Sequence, residues 1–553
     1  MAATAKKSDR NEKVDVVIVG AGPSGSVTAL KLAEAGFSVI CLEQGGMPNL
    51  NAFPGLREEW ELVAQKQWNP NPNVRDGVAD YPINTSESDI DPLMFSAVGG
   101  SATLYGGHWA PFLPSDFRTK TLDGVGFDWP FTYEEILEDL YAVERDVGIS
   151  GLPGNTAFPP RDESFLMPPL PIGKVGKKAI EGFEKLGWHW WPGIHAIASQ
   201  PHNGLNPCVR RGTCMSGCAE GAKSTTNLTH WPRALKAGAR LLTNCRVAEI
   251  ELNSEGLARG VVYIDSRGRK RRQEASIVIL CANAIGTARL MLASATGTHV
   301  NGLANRSDQL GRNLMMHPYA AVLGVFDEDL ESWRGPYGLS LESYQFYETD
   351  VSRGFVRGAK WNVMPTGGPM GVMGMVGGDS FASGQASVYD RWGKIFPETI
   401  LRRFGRGVIY GIQGEDLPEE SNRVVLDDKL CDSDGIVAPK VIYKMSENSR
   451  KLLEFNVARC VEAAQAAGAV ETHVVPQMRE CGWHLLGTTR MGDDPETSVT
   501  DEWGATHEIP NLYIFDASTF PTSAAVNPTA TIMAVAHRQS RRIIETRSQK
   551  VTA

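Results

Sequence analysis

The feature that most constrains this chain is a strand, a glycine turn and a helix near its beginning. Residues 14–19 (VDVVIV) form a β-branched run with the length of a buried strand, and GAGPSG follows at 20–25. Gly20 permits a tight turn, Gly22 lets the backbone approach a pyrophosphate, and Gly25 lets the next helix lie close to the strand. The order of these parts predicts the first half of a dinucleotide-binding unit.

A second strand supplies the acidic residue that such a unit needs. Residues 37–42 (FSVICL) are another apolar run, and Glu43 follows about 20 residues after the glycines. A carboxylate at this place accepts a hydrogen bond from a ribose hydroxyl, while the free N–H groups of the helix N-terminus favour phosphate. The complete unit predicts a dinucleotide site, although by itself it does not distinguish FAD from NAD.

Length and charge exclude several classes of protein. The 553 residues exceed what one hydrophobic core usually holds, so we expect two packed domains. With 55 basic and 64 acidic residues the net charge is -9, which argues against a nucleic-acid partner because that affinity depends on clustered Lys and Arg. No stretch approaches the ~20 apolar residues of a membrane span. The first residues (MAATAKKSDRNEK) lack the apolar core of an export leader, so we expect a cytoplasmic protein.

The middle of the chain predicts two kinds of architecture. Residues 240–252, 258–264 and 276–282 have the composition of strands in an α/β domain. From 318 to 480 the pattern changes to short strands, aromatic residues and turns, which predicts an antiparallel sheet that covers a substrate. An amphipathic helix is predicted over 446–468 within that region.

Loops with unusual composition lie near these domains. Residues 47–98 are rich in Pro, Asn and Asp and are expected to form long loops over the nucleotide. The following glycine-rich stretch, 98–109, allows the backbone to approach a flat ligand. Residues 364–378 are rich in Gly and Met, and they fit either a mobile lid or an ordinary surface loop.

The last seventy residues carry the densest polar motifs. WHLLGTTRMG occupies 483–492, and Asp516 ends a strand-like run. In the segment NPTATIMAVAH, Asn527 suits a helix N-cap and Pro528 the first helical position. We therefore expect a helix to begin here, with its N-terminus favouring negative charge on a bound group.

Together these segments resemble the glucose–methanol–choline (GMC) oxidoreductases, which are FAD-dependent alcohol oxidases and dehydrogenases. The resemblance covers nearly the whole chain and keeps the family's order, including CANAIGTARLMLAS at 281–294 and LGRNLMMHP at 310–318. It is best in the gluconate and sugar dehydrogenase and pyranose or glycoside oxidase branch.

The resemblance implies an α/β fold in which a Rossmann-like FAD-binding domain is interleaved with an antiparallel-sheet substrate domain, as in p-hydroxybenzoate hydroxylase. The FAD-binding domain is expected over 14–317, with loops covering the flavin around 47–200. A mainly substrate-binding domain is expected over 318–480, and 481–553 returns to the FAD domain with the catalytic residues.

The family's functional positions fall on particular residues of this chain. His484 matches the catalytic base, which takes the hydroxyl proton while hydride leaves the same carbon for flavin N5. Asn527 matches the second active-site position and would hold the hydroxyl without accepting its proton. FAD is expected to be non-covalent, because the tethering position of pyranose oxidases falls on Leu104, and His108 is expected near the site. The implied FAD contacts are Gly20, Gly22, Gly25, Glu43, Gly99, Gly100, Ser101, Val247, Asp516, Asn527, Pro528 and Thr529.

Three of the nine cysteines are clustered, and their role has two interpretations. Cys208, Cys214 and Cys218 are spaced as in bacterial FAD-dependent glucose and fructose dehydrogenases, where three cysteines hold a 3Fe-4S cluster. Related single-chain enzymes carry similar loops as free thiols or a disulfide. The other six are scattered and are expected to be inert core thiols in a reducing compartment.

The leading hypothesis is an FAD-dependent oxidoreductase that converts a CH–OH group of a sugar, glycoside or polyol to a carbonyl. The alternative substrate is an aryl or other primary alcohol, and a remote alternative is a nicotinamide-dependent flavoprotein reductase. The electron acceptor is O2, a quinone or a redox protein, with a dehydrogenase somewhat favoured over an oxidase. An iron-sulfur cluster would favour a small or cytochrome partner subunit, and a homo-oligomer is also compatible with the sequence.

Overall fold

The computed structural model describes residues 12–75, 80–372, 393 and 395–552. Its strands form a seven-stranded, a six-stranded and a three-stranded sheet. The strands are β1 (Val14–Val19), β2 (Val39–Leu42), β3 (Asn84–Ser88), β4 (Trp191–Pro192), β5 (Arg240–Leu242), β6 (Arg246–Leu252), β7 (Ala258–Ile264), β8 (Lys270–Leu280), β9 (Tyr319–Val325), β10 (Leu341–Ser343), β11 (Ala359–Met364), β12 (Gly407–Gly414), β13 (Arg423–Cys431), β14 (Val437–Tyr443), β15 (Glu471–Val475) and β16 (Leu512–Ile514).

Helices cover the two larger sheets and the connections between them. The α-helices of the described residues are α1 (Pro23–Glu34), α2 (Trp60–Ala64), α3 (Thr119–Asp123), α4 (Leu137–Val147), α5 (Gly173–Leu186), α6 (Thr226–Thr229), α7 (Trp231–Lys236), α8 (Asn283–Ala293), α9 (Ile395–Arg403), α10 (Glu447–Ala466) and α11 (Thr529–Thr552).

The first sheet is built around the strand that opens the sequence. Its order is β5-β2-β1-β8-β7-β6, with β16 beside β8. Strand β1 lies between β2 and β8 in parallel pairing, which explains why its run of β-branched residues is almost entirely buried. Helix α1 packs against α7 and α11 on this part of the fold. This is the expected Rossmann-like arrangement, and the predicted fold class is confirmed.

Two of the predicted strands differ from those observed. The run predicted over 240–252 divides into β5, which pairs in parallel with β2, and β6, which pairs antiparallel with β7. Asn244, in the left-handed region with φ 53°, turns the chain between them. The strand predicted over 276–282 begins earlier because the first half of β8 pairs antiparallel with β7 and the second half pairs in parallel with β1.

The second sheet is antiparallel, in the order β15-β9-β12-β11-β10-β4. Helices α5 and α10 pack on one of its faces, where Trp361 donates a hydrogen bond from its indole nitrogen to Asn456 at 2.8 Å. Because side chains alternate along a strand, Lys360 and Asn362 point to the opposite face. Helix α10 follows the N-cap Ser446, so the helix predicted over 446–468 is confirmed.

Three further predictions concern how the chain is divided. Strand β3 pairs with β14, so the region predicted as loops also contributes to a small sheet. The domain boundaries at 317/318 and 480/481 stay predictions, and β4 joins the second sheet from the region assigned to loops over the flavin. Of the proposed lid, residues 364–372 are described and 373–378 lie outside the described residues.

Gly25 provides a test of the close packing between strand and helix. A Cβ on Gly25 would lie 2.1 Å from the carbonyl oxygen of Gly20, so Gly25→Ala must move the turn away from α1. We expect a loss of about 1–3 kcal/mol in the free energy of unfolding and weaker FAD retention, measured by thermal unfolding and by flavin absorbance. Gly297→Ala is the control, because nothing lies within 4 Å of its Cβ position. Equal stability and flavin content in the two variants would contradict this packing.

Candidate active site

One cavity of about 1010 Å³ connects the glycine turn with the C-terminal motifs. Gly20, Gly22 and Glu43 line one end, and His484 and Asn527 line the other. The volume is at the upper end of the range found for small-molecule and cofactor sites. Most of the residues predicted to hold a dinucleotide and to act on a substrate therefore face a single space.

The nucleotide end is formed by two glycine loops in contact. Gly20 has φ 102°, and a Cβ there would lie 2.4 Å from the carbonyl oxygen of Cys281. A Cβ on Gly100 would lie 2.9 Å from the Cα of Gly22. Only glycine fits this cradle, which lies beside the N-terminus of α1 and suits a pyrophosphate.

Glu43 holds the cradle from the adjacent strand. Its carboxylate accepts hydrogen bonds from the backbone N–H groups of Ala21 at 2.9 Å and Gly45 at 2.8 Å. Burial raises its pKa to about 7, and the two backbone donors oppose that effect. Each carboxylate oxygen can still accept a further hydrogen bond, as a ribose would require.

Of the other residues predicted to contact FAD, some line the cavity and some lie behind its wall. Gly25 and Gly99 do not line the cavity; the Gly99 N–H donates to the carbonyl of Ala21 at 2.9 Å and holds the loops together. The Asp516 carboxylate accepts from the Thr287 hydroxyl at 2.6 Å and the Ser518 N–H at 2.9 Å. Those that line the cavity are Gly100, Ser101, Val247, Asp516, Asn527, Pro528 and Thr529.

The C-terminal helix begins one residue later than predicted. Helix α11 starts at Thr529, and the carbonyl of Pro528 accepts its first helical hydrogen bond from the Ile532 N–H at 2.8 Å. Asn527 therefore is not the N-cap. Its side chain is turned into the cavity, where polar groups from other elements bind it.

His484 lies at the centre of a hydrogen-bonded chain. Its Nε2 is 3.3 Å from Nδ2 of Asn527, and its Nδ1 is 2.6 Å from Nδ1 of His317. On the far side, Nε2 of His317 faces the carbonyl oxygens of Ser523 at 3.1 Å and Ala524 at 2.8 Å. Carbonyls only accept hydrogen bonds, so Nε2 of His317 must carry a proton.

This arrangement fixes the tautomer of both rings when they are neutral. His317 then presents a lone pair at Nδ1, which requires Nδ1 of His484 to carry its proton. The remaining lone pair of His484 lies at Nε2, toward Asn527 and the cavity. Burial lowers the pKa of His317 to about 4. Burial, with the positive charge of Lys360 as a smaller cause, holds the pKa of His484 well below 6.5. Both rings are therefore neutral at pH 7.

Sequence reasoning assigned no role to His317, Lys360 and Glu342, which complete this site around the expected His108. His317 lies in the quoted LGRNLMMHP segment, where a histidine in an apolar context was its only signal. Lys360 and Glu342 form a fully buried ion pair at 3.1 Å, and Lys360 Nζ also lies 3.4 Å from Oδ1 of Asn527. Charged residues at inward positions of apolar strands were the available signal. His108 is buried and lines the cavity, with its imidazole approaching the Asn527 side chain.

The three clustered cysteines lie close together and form no disulfide bond. Cys208, Cys214 and Cys218 pack against the apolar side chains of Leu170, Ile197 and Ala222, and the adjacent Met215 lines the cavity. Burial raises the pKa of Cys208 to about 12 and also raises that of Cys214. Within the described residues, no group of three or more His, Cys, Asp or Glu could hold a metal ion. This arrangement does not support the hypothesis of an iron-sulfur cluster.

A Rossmann-like fold whose cavity leads from a glycine cradle to a neutral, hydrogen-bonded histidine defines a class: dinucleotide-dependent oxidoreductases. Sequence comparison identifies the family within that class. Family profiles described as GMC oxidoreductase match residues 174–319 and 418–536, and an FAD binding domain profile matches 13–48. The chain belongs to the GMC oxidoreductase family, which implies FAD as its cofactor and the oxidation of alcohols or sugars as its chemistry.

Individual relatives match over almost their whole length. The 2-methyl-1,2-propanediol dehydrogenase of Mycolicibacterium austroafricanum is 39% identical, with 98% of both chains covered. The fructose dehydrogenase large subunit of Gluconobacter japonicus is 29% identical over 97% of this chain and 99% of the relative. Pyridoxine 4-oxidase from Mesorbium loti has the same fold, with a TM-score of 0.61 and 16% identity over 96% of this chain and 98% of the other. Among the described residues, no helix is both long and apolar enough to span a membrane.

The cysteine triplet is tested by iron analysis of the purified protein. Because the described residues offer no metal site at this loop, we expect no iron and three thiols at Cys208, Cys214 and Cys218 that react once the protein is unfolded. Peptide mapping after thiol labelling identifies them. Cys431 is the control for labelling of the folded protein, because it is exposed and the prediction that it is a core thiol is wrong. About three iron atoms per chain that are lost when the triplet is replaced by Ser would establish the cluster instead.

Proposed function

We propose that this protein oxidises a CH–OH group of a sugar, glycoside or polyol to a carbonyl, with His484 as the base. The observation that carries the proposal is the lone pair of His484 Nε2, which the hydrogen bonds to His317 direct into the cavity beside Asn527. A neutral, desolvated imidazole at this position is suited to receive a hydroxyl proton.

Asn527 and His484 have different roles in removing the hydroxyl proton. Asn527 donates a hydrogen bond from Nδ2 to the substrate oxygen, and since an amide cannot accept the proton, His484 takes it at Nε2. The imidazolium that forms keeps its Nδ1 proton and donates it in a hydrogen bond to His317, whose own Nε2–H remains on the carbonyls of Ser523 and Ala524. When bound, FAD supplies the acceptor for the hydride that leaves the same carbon.

We assign cofactor binding to the two glycine loops and the helix start at 529. The 20–25 turn and Gly100 would hold the pyrophosphate, Glu43 the ribose, and Val247 the adenine end. Asp516, Pro528 and Thr529 would lie along the remainder of the cofactor. The close fit of the glycine cradle, and the single cavity that it shares with His484 and Asn527, support this assignment.

Polar side chains on the sheet wall support a substrate with more than one hydroxyl. Asn362 is 1% exposed, lines the cavity, and its Oδ1 has no hydrogen-bond partner. Its side chain interacts with that of Tyr319. The hydroxyl oxygen of Tyr319 packs against Gly411, 2.0 Å from the position that a Cβ on Gly411 would take. A buried acceptor without a partner is destabilising unless a ligand satisfies it. Two of the relatives named above, a diol dehydrogenase and a sugar dehydrogenase, agree with such a substrate.

An aryl or other primary alcohol is the second candidate. Tyr337, Met364 and Trp483 add apolar surface to the same cavity, which would suit an aromatic ring. The two candidates differ in what they require of Asn362, because an alcohol with a single hydroxyl leaves its Oδ1 unbound.

We further propose a dehydrogenase that passes electrons to a quinone or a redox protein rather than to O2. The two relatives named above are both dehydrogenases. One of them is a large subunit by name, which supports a search for a small or cytochrome partner of this chain. Hydrogen peroxide release in step with substrate oxidation would instead identify an oxidase.

Replacement of His484 tests the base directly. His484→Ala should retain FAD, because the cradle lies at the other end of the cavity, but should lower the rate of anaerobic flavin reduction by about 10²–10⁴-fold. Stopped-flow absorbance measures the rate, and His202→Ala, a loop histidine outside the cavity lining, is the control. A wild-type rate in His484→Ala would exclude His484 as the base.

Replacement of Asn362 tests the substrate class. Asn362→Leu replaces the amide, with its unpartnered oxygen, by an apolar group of the same branched shape. kcat/KM for a polyol should therefore fall by about 5–150-fold, the equivalent of one buried hydrogen bond. kcat/KM for a primary alcohol with one hydroxyl should change little. Met364→Leu, on the same face of β11, is the matched control. A fall of equal size for both substrates would contradict a second hydroxyl contact at Asn362.

A further inference from the structure

Lys360 is a buried cation beside the active site. Its side chain is fully buried on β11, at the face of the second sheet that is directed toward the cavity. Nζ lies 3.1 Å from Oε2 of Glu342 on β10 and 3.4 Å from Oδ1 of Asn527. A buried lysine is rare unless it is paired, and the ammonium group of this one contacts both a counter-ion and an active-site amide.

The second contact determines which way the Asn527 amide points. An ammonium group has three donors and no acceptor, so the Asn527 atom that faces it must be the oxygen. With Oδ1 held on that side, Nδ2 is directed to His484 Nε2, 3.3 Å away. If the amide were reversed, its oxygen would face the lone pair of His484, and no donor would be left for the substrate oxygen.

We propose that Lys360 is a positioning residue, which holds the Asn527 amide with Nδ2 toward the substrate hydroxyl, and that Glu342 is retained as its counter-ion. This inference rests on the proposed function, because it assigns to Asn527 the contact with the reacting oxygen. Lys360 itself acts through Asn527 and does not take the proton.

The charge of Lys360 also acts on the rings around it. Burial lowers the pKa of Lys360, and the attraction of Glu342 opposes that effect. Lys360 in turn contributes to the lowered pKa of each nearby histidine, for which burial is the larger cause. The titratable groups that face it are Glu342, Tyr344, His108, His195, His317 and His484.

The test uses Lys360→Met in the FAD-loaded enzyme. Methionine is unbranched and only one atom shorter than lysine, but it donates no hydrogen bond, so kcat for flavin reduction should fall by about 10–100-fold while FAD is retained. KM should change less, because the substrate still occupies the same cavity. Loss of the positive charge raises the pKa of His484, so the acid limb of the pH–rate profile should move to higher pH. Lys360→Arg should recover part of kcat, because a guanidinium also only donates.

A double variant separates the lost contact from an unpaired carboxylate. Lys360→Met combined with Glu342→Gln removes both charges, and it should keep the low kcat of the single variant while its thermal stability returns toward that of the wild type. Recovery of kcat in the double variant would overturn the proposal, and so would a single variant with wild-type kcat and acid limb. The control is Lys178→Met, which removes a lysine of α5 that is paired with Glu181 and Glu328.

Failure of the proposed function would be seen separately, as a wild-type flavin that no alcohol reduces. In that case an atomic-resolution crystal structure still decides the inference about Lys360. Asn527 should keep one amide orientation in the wild type and lose it in Lys360→Met. A single unchanged orientation in the variant would overturn the proposal without reference to activity.

Discussion

The hydrogen bond between the two imidazole rings of His317 and His484 is the interaction on which the chemistry of this site depends. It joins two Nδ1 atoms at 2.6 Å, so only one of them can carry a proton when both rings are neutral. Two backbone carbonyls decide which one, because they occupy Nε2 of His317 as acceptors. The lone pair of His484 is thereby left at Nε2, on the side of the cavity.

The surrounding scaffold holds His317 in place. Asp416 accepts the N–H of Met316, next to His317, at 2.9 Å, and its backbone carbonyl accepts the hydroxyl of Ser523 at 2.8 Å. The Tyr443 hydroxyl donates to the same Asp416 carboxylate at 2.8 Å, and burial raises the pKa of that carboxylate to about 7. Met316, Tyr443 of β14 and Ser523 of the C-terminal segment therefore meet at one buried acid. A buried acid also holds the cofactor cradle: Glu43 accepts hydrogen bonds from the loops at Ala21 and Gly45.

The parts that could be predicted from the sequence are those determined by local pattern. A β-branched run, three glycines and an acid lie within thirty residues of one another, so β1, the turn and Glu43 were all predicted. The roles of His484 and Asn527 rest on the family's order of motifs, and the structure brings the two together at 3.3 Å. His317 lies 167 residues from His484 in sequence, and no local sequence pattern predicts that their rings form a hydrogen bond. The helix start was predicted one residue early because Asn527 suits an N-cap by residue type, whereas its side chain contacts His484 and Lys360, which is 167 residues away in sequence.

The most direct test of the account is the pH dependence of anaerobic flavin reduction by a polyol, measured by stopped flow in the wild-type enzyme with its flavin content checked at each pH. A base that works as neutral imidazole is active above its pKa and loses activity as the pH falls through it. Since the pKa of His484 is held well below 6.5, the account predicts a constant rate from pH 8 to about pH 6.5 and an acid limb below that value. A rate that already declines above pH 7 while FAD stays bound would show a base that is not the neutral, tautomer-fixed His484.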